Sequence, residues 1–253
     1  MSKERLDKIL SHAGFGSRQD VKSLMHSGAV TINGTVVTDP ASKADSLNDA
    51  ITVDGNELAL RKFVYIMMNK PQNYVSASKD GLHSTVFDLL DDSCHTPYLE
   101  EHLHIIGRLD IDTEGLLLFT TDGELTHMIT SPKTHRSKTY LVRLRDAVGT
   151  VLQTEYTDRC RAGIHIPPEG NEAEADCKPA ELVWHTGGKS GSAECELTIY
   201  EGKYHEVKRI FAVLGNEVVF LKRLSIGTLA LDPLLAAGEY RELTDEEICR
   251  LKQ

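Results

Sequence analysis

Two aspartates, Asp110 and Asp112, stand in the stretch Gly107-Arg108-Leu109-Asp110-Ile111-Asp112-Thr113-Glu114-Gly115-Leu116-Leu117-Leu118. A carboxylate can serve as a nucleophile or a base. A pair of them invites comparison with a glycosidase, but they lie close together on one loop, and no carbohydrate-binding aromatic stripe accompanies them. Asp is also ordinary wherever strands reverse, so residue type alone leaves a plain turn open. Arg108 tips the balance, because a cation and a carboxylate this close in sequence need placing together in a tight site. His102, His104, His127 and His135 surround the loop in sequence, yet no HxxxH or mixed Cys/His spacing supports a metal.

The flanking residues must hold this loop. His104-Ile105-Ile106 leads in, and Leu116-Leu117-Leu118-Phe119 leads out. Both runs are short, continuous and bounded by Gly, the pattern of buried strands. A loop held between buried strands presents a reactive group rigidly, so residues 107 to 118 are expected to be an active-site loop.

The chain of 253 residues, with 40% apolar residues, suits one large domain or two unequal ones. No apolar run approaches a membrane span, and Met1-Ser2-Lys3-Glu4-Arg5 leads into no signal-peptide core. Cys94, Cys160, Cys177, Cys195 and Cys249 form no CxxC and are odd in number, as expected of free thiols in a reducing cytoplasm. A net charge of −10 argues mildly against a nucleic-acid partner. Net charge does not exclude local basic fields, and Lys and Arg collect near the start, at 133 to 138 and at 203 to 209.

Gly107-Arg108-Leu109-Asp110, Thr113, Gly115-Leu116-Leu117 and Asp122-Gly123 together are similar to the signature loop of the pseudouridine synthases, most closely the RsuA type that modifies small-subunit ribosomal RNA. The N-terminal pattern agrees. Leu6, Ile9, Leu10 and Ala13 have helical spacing; Ser17 and Asp20 form a capping-box pattern for a second helix that turns Val21, Leu24 and Met25 inward and stops at Gly28. Val30-Thr31-Ile32 and Val36-Val37 flank the hairpin signal Asn33-Gly34, and Ile51-Thr52-Val53 follows. Helix, turn, helix and hairpin, with Arg5-Leu6-Asp7-Lys8 and Ser17-Arg18, resemble the S4 RNA-binding module. That likeness implies phosphate contacts from Arg5, Lys8, Arg18 and Lys22. Charged residues on helices are usually just solvated faces, and Glu4, Asp7 and Asp20 are interleaved here, so the basic patch is expected to be modest.

Arg61-Lys62 marks the expected join to a second domain, which opens on the strand Phe63–Met68 and the Asn69-Lys70-Pro71 of the same synthases. Asn73 stands where the family usually has Gly; Asn tolerates left-handed backbone, so the turn should survive. Val86, Leu89 and Leu90 suggest a short helix, Glu124 to Thr130 another, and Lys138 to Arg143 a strand. In the family, the Tyr of this Lys-x-Tyr lies over the target base, a position taken by Tyr140; a core Tyr in a strand is the plainer reading. Residues 150 to 192 are expected to be a sheet excursion with loops at 167–170 and 187–191. Glu196 to Tyr200 reads as a strand, and Val207, Ile210, Phe211 and Leu214 as a helix ending at Gly215-Asn216. Glu201-Gly202, His205, Val207-Lys208-Arg209 and Gly215-Asn216 resemble the family's third motif, with Glu206 in place of the usual Gln and Lys208 as the basic active-site residue.

The resemblance implies an α+β protein: an S4-like RNA-binding domain over 1–61, then a pseudouridine synthase domain over 62–253 with a central, mainly antiparallel sheet. It implies catalysis by Asp110, Tyr140 and Lys208, with Lys208 keeping Asp110 ionised, and RNA contacts that also draw on Ser17, Lys70, Arg108, Lys138 and Arg209. The reaction needs no cofactor and no metal. The expected partner is 16S ribosomal RNA or a small-subunit assembly intermediate, met by a cytoplasmic monomer with no membrane attachment. A large-subunit enzyme and a non-catalytic rRNA-binding assembly protein are the alternatives.

Overall fold

A computed structural model describes residues 3–45, 49–58, 63–131, 134–185 and 194–252. The expected join at Arg61-Lys62, Lys133 of the basic loop and the glycine-rich stretch at 187–191 lie outside the described residues. The chain forms two compact units; the first takes the described residues up to Val64 with Leu90–His104 and Thr120–Asp122, the second the remainder. No helix among the described residues is long and apolar enough to cross a membrane.

In the first unit, β1 (Glu4–Arg5) leads into α1 (Leu6–His12) and then α2 (Arg18–His26). The capping box forms as expected: Ser17 Oγ accepts the Asp20 amide and the Asp20 carboxylate accepts the Ser17 amide at 2.8 Å. β2 (Val30–Ile32) and β3 (Thr35–Val36) make the hairpin, with Asn33 and Gly34 both left-handed, as a two-residue turn requires. β4 (Lys43–Ala44) pairs with β1, and β5 (Ile51–Val53) and β6 (Asn56–Glu57) complete a sheet of order β3-β2-β5-β6. Leu6, Ile9, Leu10, Val21, Met25, Val30, Ile51 and Val53 close its core, each buried side chain of this size contributing about 1.5–3 kcal/mol. The helix α3 (Pro97–His102) also lies in this unit.

The second unit is built on β7 (Tyr65–Lys70), β8 (His104–Ile106), β9 (Glu114–Thr120), α4 (Gly123–Thr130), β10 (Lys138–Leu144), α5 (Thr150–Ala162), β11 (His165–Ile166) and β12 (Ala175–Asp176). β13 (Glu181–Trp184), β14 (Glu194–Ile199), α6 (Glu206–Val213), β15 (Val218–Ile226), β16 (Leu229–Ala230), β17 (Tyr240–Glu242) and α7 (Asp245–Lys252) follow. The main sheet runs β13-β14-β10-β15-β9-β7-β17, with β16 beside β15 and β8 beside β9. It is largely antiparallel, and β15 pairs with β9 in parallel. Every residue of β7 is buried, and so is β9 from Gly115 onward, which is why both read as unbroken apolar runs.

Two elements differ from expectation. Val86–Leu89 is a 3-10 turn rather than an α-helix. Residues 150 to 162, expected as part of a sheet excursion, form α5; only Tyr156 and Cys160 are buried along it, while Val151 and Leu152 face solvent, so no apolar stripe announces it.

One lateral row ties the sheet to the aspartate loop. Tyr140 lies opposite Leu197 on one side and Arg223 on the other, and Arg223 lies opposite Gly115, just past the loop. Gly115 adopts a φ of 102°, and a Cβ there would run into the backbone of Arg223. Gly115→Ala is therefore expected to lower the unfolding free energy by about 3 kcal/mol. Urea unfolding checks this, and an unchanged midpoint would mean that the β9–β15 approach relaxes freely.

Candidate active site

The loop between β8 and β9 is held from beneath by a buried lysine. Lys70 ends β7 with no exposed surface, and its ammonium donates to the carbonyls of Pro71 at 3.0 Å, Asp110 at 3.0 Å and Thr113 at 2.9 Å. An ammonium has three protons, and these three carbonyls are the nearest, with the Ile111 carbonyl further off at 3.5 Å. Burial pulls the Lys70 pKa down to about 8, against the upward pull of Asp112 and Asp110, so it stays mostly charged at neutral pH. Ser76 Oγ donates to the Leu109 carbonyl at 2.7 Å and accepts its amide, and the Asn73 amide donates to the Ile111 carbonyl at 2.8 Å. Asn73 has a φ of 69°, so the residue standing in for Gly does adopt left-handed backbone.

So held, the loop presents Asp110 to α6. Lys208 Nζ donates to Asp110 Oδ2 at 3.2 Å and to both oxygens of Asp112, at 2.6 and 2.9 Å. The two aspartates thus share one cation, and the shorter contacts go to Asp112. Burial works against the Lys208 charge, but hydrogen bonds and charge from Asp112 and Asp110 outweigh it and hold the pKa above that of an ordinary lysine. Burial likewise opposes ionisation of Asp112, and Lys208 prevails, lowering its pKa. His205 joins the group: left-handed at a φ of 48° ahead of α6, it sets Nε2 at 3.7 Å from Asp110 Oδ2 and Nδ1 at 3.1 Å from Glu169 Oε1. Tyr140 is buried with 7% exposure; burial pushes its phenol pKa up against the pull of Arg223, and it lies near enough to Asp110 to feel that charge.

The other expected RNA-contacting residues divide. Arg108, Arg18 and Lys22 are exposed. Arg5 binds Asp7 through Nε and a terminal nitrogen at 3.0 and 2.8 Å, and Lys8 lies 3.5 Å from Glu4. Ser17 is occupied as the cap of α2. Lys138 is half-buried and donates to the Glu201 carbonyl at 3.1 Å. Two expectations need correction. Lys70 cannot meet phosphate, because it is fully buried under the loop. Arg209, 6% exposed, donates to the carbonyls of Tyr204, Pro167 and Ala173, and so fastens the 167–173 segment to α6.

Sequence reasoning passed over Arg223, which is 1% exposed and donates to the Leu116 carbonyl at 2.8 Å. Its signal was available: in Val218–Ile226 it shares parity with buried Leu221, and a strand carrying an Arg on its core face is unusual. Ser76 gave no signal. Among the described residues, Cys177, Glu201 and Glu206 place possible ligand atoms within 4.8 Å of one another. A metal needs deprotonated ligands. Burial pushes the Cys177 thiol up to about 12 and Glu206 up to about 7, while Glu201 already holds Lys203 and the Lys178 amide. These groups suit a proton better than a cation.

Residues 64–213 match the family described as RNA pseudouridylate synthase, and residues 4–51 match the S4 domain. An uncharacterized RNA pseudouridine synthase of Bacillus subtilis, YtzG, is 43% identical over 98% of each chain. The ribosomal small subunit pseudouridine synthase A of Vibrio vulnificus is 41% identical over 96% of this chain and 97% of its own. A crystal structure of a pseudouridylate synthase, 39% identical, superposes over 98% of this chain and 99% of its own with a TM-score of 0.64.

Removing the Lys70 ammonium strands buried carbonyls, which costs about 1–3 kcal/mol per group. Lys70→Met is expected to speed amide exchange across residues 109 to 113 well before global unfolding, as read by hydrogen-exchange mass spectrometry. Unchanged exchange there would show that Ser76 and Asn73 hold the loop unaided.

Proposed function

Because this chain belongs to the RNA pseudouridylate synthase family and carries an S4 domain over residues 4–51, we propose that it isomerises one uridine of small-subunit ribosomal RNA to pseudouridine. The observation that carries this reading is the Asp110 carboxylate, braced from below through its own backbone carbonyl by Lys70 and met from above by Lys208. The small-subunit target rests on the relatives that bear that description at about 41% identity over nearly the whole chain. In this reading the protein acts in the cytoplasm and as a monomer.

The chemistry needs few groups. The bond from uracil N1 to ribose C1′ breaks, the base turns, and C5 bonds to C1′; the C5 proton is lost and N1 ends protonated. No electrons are gained or lost, and nothing is transferred from outside. Asp110 supplies the carboxylate that attacks or deprotonates the ribose, with the Lys208 cation 3.2 Å from it. A stacked uridine cannot reach Asp110, so it must be extruded at a cost of a few kcal/mol. Stacking on an aromatic ring returns about 1–3 kcal/mol. In this reading Tyr140, 7% exposed, supplies that ring. Exposed Arg108 beside Asp110 either enters the vacated space or holds a phosphate. Arg18 and Lys22 on α2, with Lys8 on α1, supply the phosphate contacts of the S4 domain.

The test is pseudouridine mapping of total rRNA in cells lacking this protein and supplied with wild type or Asp110→Asn. A small-subunit site restored by wild type alone establishes both chemistry and target. A large-subunit site keeps the chemistry and overturns the target; no restored site favours the non-catalytic binding protein. Lys208→Met is expected to cut turnover about 100-fold or more with little change in RNA affinity, since one charge-assisted contact is lost where charge matters for reaction. Equal losses of binding and turnover would contradict that role. Tyr140→Phe should retain binding within a few-fold while slowing turnover; complete loss of RNA binding would overturn the stacking assignment.

A further inference from the structure

Ahead of α6 lies a second carboxyl pair that the reaction does not use. Glu206, the first residue of α6, is 4% exposed, and one of its oxygens accepts the Lys203 amide at 2.8 Å. Glu201, at the other end of the turn, accepts the Lys178 amide at 2.6 Å and pairs with the Lys203 ammonium. Carboxyl oxygens of the two lie within 4.8 Å of one another. Among the described residues one cation touches them, and Lys138 feels both charges through space. Lys203 is the cation in contact. Lys138 on β10 donates to the Glu201 carbonyl rather than the carboxylate, and Arg209 on α6 is committed to carbonyls. Tyr140 on β10 and the Cys177 thiol are neutral neighbours, their pKa values pushed up by burial, and Arg223 on β15 acts on Tyr140 and Lys138.

We propose that Glu201 and Glu206 hold one proton between them, and that this proton locks the 201–206 turn and so fixes where Lys208 meets Asp110 and Asp112. Two carboxylates in contact in a water-poor place cannot both stay ionised at little cost. A protonated Glu206 donates to an ionised Glu201 while still accepting from the Lys203 amide. Lys208 stands two positions further along the same helix, so the first turn of α6 transmits the geometry directly. Protonated Glu206 supplies a donor at this point of the turn, and the ionised form loses it. Burial lifts the Glu206 pKa to about 7, with the Glu201 charge adding to the rise and the Lys203 amide opposing it. The lock therefore releases within the physiological range. Glu206 and Glu201 are thus positioning residues.

The test compares wild type with Glu206→Gln in single-turnover pseudouridine formation on a small-subunit rRNA transcript from pH 6 to 9. Wild type should lose rate above about pH 7, approaching tenfold per pH unit, in kcat rather than KM. Glu206→Gln should hold its rate to about pH 8, where Lys70 begins to discharge. Glu201→Gln removes the charge that Glu206 resists and should abolish the same limb, which covers the case in which Glu206→Gln fails to fold. Thermal unfolding gives a readout independent of the reaction. A carboxyl whose folded pKa is raised from 4.5 to about 7 stabilises fully below 4.5 and loses that contribution as pH rises through 7. The melting temperature of wild type should accordingly fall more than that of Glu206→Gln between pH 5 and 8. An identical rate limb and an identical melting profile in the variants would overturn the proposal. The activity arm rests on the pseudouridine synthase reading; if no RNA is modified at any pH, that reading fails and the melting comparison alone decides the shared proton.

Discussion

One ammonium, buried beneath a loop and surrounded by carbonyl oxygens, underlies the rest of the site. Lys70 has no exposed surface and contacts the backbone of the segment that carries Asp110 and Asp112. A short loop between strands has few amides of its own with which to satisfy its carbonyls. A single point charge with several donors answers that need from inside the core, and it does so only if β7 delivers it to the right depth. The strand is buried along its whole length for that reason, and it ends in a lysine where an apolar residue would pack more cheaply.

The reactive side of the loop depends on a second element far along the chain. Lys208 sits on α6, whose start is set by left-handed His205 and by the carboxyl pair of Glu201 and Glu206. Its far side is fastened by Arg209 to the carbonyls of the 167–173 segment, whose Glu169 also meets His205. Adjacent residues on one helix thus do opposite jobs, Lys208 facing the aspartates and Arg209 facing the interior. The row Tyr140, Arg223 and Gly115 carries the same rigidity across β10, β15 and β9 to the loop's exit.

Much of this was legible in the sequence. Short apolar runs bounded by Gly gave β8 and β9, Asn33-Gly34 gave the hairpin, and Ser17 with Asp20 gave the start of α2. The pairing of Lys208 with Asp110 was implied by the family resemblance rather than by the residues alone, and the structure brings them together. What was illegible has physical causes. A basic residue in a motif does not reveal whether it faces water, so Lys70 and Arg209 read as phosphate contacts although both are buried. α5 buries too few of its residues to leave a periodic stripe. Ser76 acts through backbone atoms of a distant segment, and nothing in a serine's surroundings records that.

Lys208 touches two carboxylates where one would satisfy a simple ion pair. Removing one partner from a partly buried ion pair leaves the other charge less well compensated. A cation already shared with Asp112 escapes that penalty whenever Asp110 gives up its charge to a bond or a proton. Asp112 then works as a standby counter-ion, and the electrostatic state of the site varies less between the free enzyme and any species in which Asp110 is neutral.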